Sequence, residues 1–165
     1  MRIIITENYN DMSNVATDII AAQLILNPDS VLGLATGSTP TGMYEGLVKL
    51  YNEGRIDFKD VVTFNLDEYC GLPDENDQSY HYFMHHHLFD HIDIDPKNIH
   101  IPDGTLKAEE IENFCKEYER QIEAAGGIDI QVLGIGRTGH IGFNEPGSPL
   151  TSKTRMVYLD DLTIK

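Results

Sequence analysis

The sequence predicts an α/β fold, a mostly parallel sheet with helices on both faces, and three observations lead to it. Short apolar runs of strand length alternate with longer stretches whose apolar residues recur at helical spacing. Each apolar run gives way to glycine, hydroxyl or acidic residues, as strands do where they leave a sheet at their carboxyl ends. The run from Ile128 to Ile135 has no charge after Asp129, the pattern of a strand covered on both faces.

Taken in order, Met1 to Ile5 reads as a strand, and Asn10 or Asp11 can cap a helix over 12–26 with Val15, Ile19, Ile20 and Leu24 on one face. Asn27-Pro28-Asp29 stops it. Val31 to Ala35 is the second strand and ends in Thr36-Gly37-Ser38-Thr39-Pro40. Pro40 suits the first turn of a helix capped by Thr39, and Met43, Leu47 and Leu50 carry it as far as Gly54. A helix start attracts phosphate through its unpaired N–H groups and dipole, and Gly37, Ser38 and Thr39 can add donors. A plain capped helix after a strand reads the same way.

Val61 to Leu66 is the third strand and delivers Asp67-Glu68-Tyr69 at its carboxyl end. Neighbouring residues of an extended chain project to opposite sides, so one carboxylate can face a pocket and the other a supporting partner. The bland alternative is a solvated turn. Ser79 caps a short helix reaching Phe89, which carries His81, His85, His86 and His87, with His91 just beyond. Two pairs stand at i, i+4, yet no His-Glu-x-x-His arrangement and no neighbouring cysteine accompany them, so no physiological metal site is expected. Asp95-Pro96 breaks the chain, and Asn98 to Ile101 is a short extended piece. Leu106 to Ala125 is an acidic helix with Ile111, Phe114, Cys115, Tyr118 and Ile122 as its buried stripe, ended by Gly126-Gly127.

After the strand Ile128 to Ile135, four glycines (Gly134, Gly136, Gly139 and Gly142) surround His140, and Glu145 follows before Pro146. Glycine permits turns that other residues resist, so this segment can bring His140 and Glu145 together as a catalytic loop. Met156 to Tyr158 is a further strand. In a parallel sheet the loops after Ala35, Leu66 and Ile135 share one rim, where ligands of such folds bind. Gly134, Gly136 and Gly139 also fit the dinucleotide fingerprint G-x-G-x-x-G, with Asp160 at the distance of its ribose acid. That fingerprint must open a helix, and Gly142, Asn144, Pro146, Gly147 and Pro149 forbid one, so no nicotinamide or flavin cofactor is expected.

The 165 residues make a single domain, 1–165, of ordinary globular composition, with 41% hydrophobic and 24% charged residues. A formal charge of -15 repels nucleic acid and anionic membrane surfaces, so neither is an expected partner. No apolar run reaches membrane-spanning length and no signal peptide opens the chain, so a cytoplasmic location is expected. Cys70 and Cys115 lie far apart and are expected as reduced thiols.

Three motifs occur in order with intact spacing: Leu34-Ala35-Thr36-Gly37-Ser38-Thr39-Pro40; Phe64-Asn65-Leu66-Asp67-Glu68-Tyr69 with Gly71-Leu72; and Gly134-Ile135-Gly136 through Gly139-His140-Ile141-Gly142-Phe143-Asn144-Glu145-Pro146. Together they closely resemble the glucosamine-6-phosphate deaminases. The related 6-phosphogluconolactonases share the glycine and hydroxyl loop and the acidic strand end, but typically follow the Gly-His pair with an Ala-Ser-Leu-Phe type of sequence, where this chain has Phe143-Asn144-Glu145-Pro146.

The resemblance implies a Rossmann-like fold and conversion of glucosamine 6-phosphate and water to fructose 6-phosphate and ammonia, with neither metal nor organic cofactor. It implies Asp67 as the base that moves a proton from C2 to C1, His140 as the group assisting ring opening and Glu145 as its orienting carboxylate. Thr138 stands in the His140 network where relatives carry Asp or Asn. Thr36, Gly37, Ser38, Thr39, Glu68, Gly136 and Gly139 fall at substrate-binding positions, with Glu68 behind the base. Allosterically activated members place two basic residues around Arg155, and Val157 stands where the second would be. Family chains continue well past Lys165, with the Arg and Lys that clamp the phosphate, so a truncated chain with an incomplete sheet is expected. Its open edge leads to an expected homo-oligomer whose ligand is a small sugar phosphate.

Overall fold

The computed structural model describes residues 1–136, 139–145 and 147–159. Its elements are α1 (Tyr9–Leu26), β1 (Val31–Leu34), α2 (Thr41–Asn52), β2 (Val62–Asn65), α3 (Tyr80–His87), β3 (Ile99–His100), α4 (Ala108–Ala124) and β4 (Ile130–Gln131), with 3-10 turns at Phe89–His91 and Pro96–Asn98. The four strands form one parallel sheet in the order β3-β2-β1-β4.

Alternation along β1 and β2 divides the core in two. Leu32 and Leu34 face a large cluster under α1, α2 and α3 that includes Tyr44, Leu47, Met84 and Leu88. Val31 and Phe64 face the other way, onto Tyr118 of α4. Phe64 is sandwiched there, stacked on His100 at 4.4 Å and edge-on to Tyr118 at 5.6 Å. Truncating such a buried ring to alanine costs about 3–5 kcal/mol.

Helix caps depart from the expected ones in two places. The cap of α1 is Asn8, whose side chain accepts from the amide of Asp11 at 3.0 Å and donates to its carboxylate at 2.8 Å. Thr39 does not cap α2: Pro40 takes the cap position with helical φ and ψ, and no side chain bonds the first turn from there. The expected Ser79 cap of α3 is present, accepting from the Tyr82 amide at 2.9 Å.

Two expected strands are absent and one is shorter. Met1 to Ile5 and Met156 to Tyr158 lie outside the sheet, because an extended segment becomes a strand only beside a partner ladder. The apolar run after Ile128 pairs with β1 at Ile130 and Gln131, Val132 adds one bond to the Gly33 carbonyl at 2.9 Å, and β1 itself ends at Leu34, so 133–135 continue outside the ladder. Among the described residues no helix is long and apolar enough to cross a membrane.

Candidate active site

β1 and β2 run in register, with Leu34 beside Asn65. Two residues further along each chain stand Thr36 and Asp67, on the rim that the carboxyl ends of the strands share. Tyr80, the first residue of α3, reaches the same rim, where its hydroxyl donates to the Tyr69 hydroxyl at 3.1 Å, and the Asp67 carboxylate acts on its phenol electrostatically. Asp67 is half-buried. Burial, reinforced by the neighbouring Glu68 carboxylate, pushes its carboxyl up to about 6, near where a general base works best at neutral pH.

Glu68 has a different task. One carboxylate oxygen accepts from the amides of Tyr69 at 2.8 Å and Tyr80 at 2.9 Å, and the other from His81 at 2.8 Å. It therefore closes the N-terminus of α3 together with Ser79, as an anion should at the positive end of a helix. Both of its oxygens thus accept from protein amides.

The glycine segment folds back on itself. The Gly136 amide donates to the His140 carbonyl at 2.8 Å, and Gly139 donates to the Gly136 carbonyl at 2.9 Å. A Cβ at Gly136 would run into the His140 ring, so only glycine leaves room for the imidazole. His140 Nδ1 lies 3.7 Å from Glu145 Oε2, with the two side chains 18% and 21% exposed. The loop is docked on the Asp67 end: Gly142 lies against Leu66, and Phe143 packs on Tyr69 at 5.8 Å and stacks on Tyr80 at 6.4 Å. Asn144 accepts from Arg155 at 3.0 Å. Thr138, expected in this network, lies outside the described residues, as do Pro146 and Asp160.

Asp67, Tyr118, Phe143, Asn144 and Arg155 border one cavity of about 630 Å³, large enough for a phosphorylated sugar. Thr36 is half-buried at the rim, whereas Gly37, Ser38 and Thr39 are exposed. Gly37 has φ +98°, a conformation that favours glycine. Tyr9 reaches over from α1, donating to the Ser38 carbonyl at 2.9 Å and accepting from the Gly42 amide at 2.9 Å. One first-turn amide of α2 is thus occupied by protein, and the exposed hydroxyls of Ser38 and Thr39 remain beside it for an anion.

The histidines of α3 make local pairs. His81 stacks on His85 at 4.6 Å, His85 lies 2.8 Å from an oxygen of Asp90, and His91 lies 2.9 Å from the His86 carbonyl. Among the described residues no group of three or more His, Cys, Asp and Glu is arranged to hold a metal ion. Tyr9, Tyr80 and Tyr118 were missed as site-building residues by reading the sequence. Of these, Tyr118 carries a signal in the apolar stripe of α4, and Tyr80 one in its i, i+4 spacing to the apolar Met84 on the inner face of α3.

A sequence profile described as glucosamine-6-phosphate isomerases/6-phosphogluconolactonase matches residues 6–161. The chain belongs to this family. A glucosamine-6-phosphate deaminase of Clostridioides difficile (strain 630) is 55% identical over 165 residues, which is 100% of this chain and 66% of that relative. The solved structure of a monomeric glucosamine-6-phosphate deaminase superposes with a TM-score of 0.94 at 42% identity, covering 99% of this chain and 67% of that one. A second family member, the 6-phosphogluconolactonase of Thermotoga maritima, superposes with a TM-score of 0.66 at 27% identity, covering 84% of this chain and 61% of that one. The chain spans about two thirds of the length of the curated relatives it matches. The fold is therefore the family's α/β fold, with four parallel strands among the described residues.

Proposed function

We propose that this chain carries the acid and base groups of a glucosamine-6-phosphate deaminase, which converts glucosamine 6-phosphate and water to fructose 6-phosphate and ammonia. The observation that carries the reading is Asp67, a half-buried carboxyl raised to about 6 on a cavity wall against which the His140 loop is docked. In the proposed sequence His140, oriented by Glu145, moves a proton at the ring oxygen and opens the pyranose to the aldehyde. Asp67 then removes the proton at C2, giving an enolamine, and returns it to C1, giving a C2 imine. Water adds to C2, the C–N bond breaks and ammonia leaves, so the net change is hydrolytic. Each step moves protons at carbon, oxygen or nitrogen, which suits side-chain acids and bases. Thr36, Ser38 and Thr39 serve the phosphate side of the same rim.

The test is ammonia release from glucosamine 6-phosphate by the protein and by Asp67→Asn. Release that the substitution lowers at least about 1,000-fold supports the reading. Release that survives it assigns the base elsewhere. Acid production from 6-phosphogluconolactone without ammonia would move the chain to the lactonase branch of its family.

A further inference from the structure

We propose that Tyr80 is a positioning residue for Asp67, its ring and hydroxyl bracing the two residues that follow the carboxylate and the docked His140 loop. The proposal rests on the reading of Asp67 as the base. Several contacts converge on this one residue. The Tyr80 hydroxyl donates to the Tyr69 hydroxyl at 3.1 Å. Its ring stacks on Phe143 with an interplanar angle of 16° and packs on Tyr69 at 4.8 Å. Its backbone amide is fixed by Glu68, the residue next to Asp67. A phenylalanine could make the ring contacts, so packing alone gives no reason for the hydroxyl. What the oxygen adds is a tie to the Tyr69 hydroxyl, two residues beyond Asp67.

The same oxygen feels Asp67: burial most of all, then Tyr69 and the Asp67 charge, drive the Tyr80 phenol far above its ordinary range, so it stays a neutral donor at any working pH. Other groups bear on Asp67 as well. Glu68 is adjacent, and Tyr118 approaches from α4, its own phenol raised by burial and in part by Asp67. The cavity wall further carries Asp103, Glu119, Lys153, Arg155 and the thiols of Cys70 and Cys115. Replacing Tyr80 leaves all of these in place, so a change in Asp67 on substitution reports Tyr80 itself.

The experiment is a carbon-13 NMR titration of the Asp67 side-chain carboxyl in the protein, in Tyr80→Phe and in Tyr80→Leu, with ammonia release measured on the same three samples. Admitting water to the carboxylate lowers the midpoint, so Tyr80→Leu is expected to shift it down by about one unit, while Tyr80→Phe leaves it within about 0.3. Tyr80→Phe is also expected to lower kcat about tenfold with KM within about twofold, because the rim loses one tie but no binding group. An unmoved midpoint in Tyr80→Leu, or a Tyr80→Phe enzyme with unaltered kcat, overturns the proposal. If Tyr80→Leu fails to fold, the Tyr80→Phe kinetics decide alone. If the unsubstituted protein releases no ammonia, the deaminase reading fails and the Tyr80→Leu titration still decides whether Tyr80 governs Asp67.

Discussion

Asp67 leaves a strand whose last three residues are fully buried, while the described residues around His140 form turns and an isolated bridge between Ile141 and Asn144. The first is held by the core: Phe64 is packed on α4, Tyr118 donates to the Asn65 carbonyl at 2.8 Å, and Glu68 locks α3 in place. The second has one apolar anchor, Phe143 on Tyr69 and Tyr80, and is otherwise held by turns and polar contacts, with Glu119 of α4 accepting from the backbone and hydroxyl of Thr154 at 2.7 and 2.8 Å. The two halves of one rim therefore draw on different energies. Losing apolar packing threatens the Asp67 half, whereas a misplaced side chain threatens the His140 half.

Four substitutions sharpen this contrast, beginning with the largest effect. Burial raises the Asp67 carboxyl from 3.8 to about 6, so the folded state keeps a proton that the unfolded chain releases. Stability should fall as pH rises between about 4 and 6, and Asp67→Asn should recover about 3 kcal/mol above that window and lose the pH dependence. Urea unfolding of both proteins at pH 4 and pH 8 measures it. Equal curves at pH 8 would show that Asp67 ionises without penalty.

Gly136→Ala should act the other way, lowering turnover about a hundredfold by displacing the imidazole while thermal stability stays within about 0.5 kcal/mol. A loss of stability as large as the loss of rate would mean that the loop is part of the core. Glu68→Gln should cost about 2 kcal/mol by weakening three charge-assisted bonds, and should lower the Asp67 titration midpoint because a like charge is gone. Thermal melts and the carboxyl titration read the two effects separately. Smallest is Arg155→Ala, which frees Asn144 from an exposed contact and should change stability by less than about 0.5 kcal/mol, with a few-fold change in rate at most.

What was legible in the sequence follows the range of the interaction. The Ser79 cap spans three residues and the stripe of α4 repeats at helical period, so both can be read locally. β1 and β2 were found almost to the residue, since their buried faces write themselves into the pattern. Glu68 caps a helix from 12 residues away, and Tyr9 holds the α2 start from 33 away, separations at which residue type gives no register. The overlong strand after Ile128 fails for a related reason: apolar character signals burial, but a ladder needs a neighbour, and β1 has already ended at Leu34. Of the rim, the motifs marked Asp67, His140 and Glu145, and the Tyr80–Tyr69 pair beside Asp67 stayed hidden because tyrosines read as ordinary core.

Asp67 and Glu68 are chemically near twins, one bond of backbone apart, and the fold treats them as opposites. A library of variants passed through a screen for heat resistance alone should shed the aspartate and retain the glutamate, because the first carries an unfavourable buried charge and the second ties down a helix. A screen for ammonia release should punish loss of the aspartate outright and let the glutamate drift toward whatever still folds. Sequencing the survivors of the two screens would separate the residue that works from the residue that supports it, without a structure in hand.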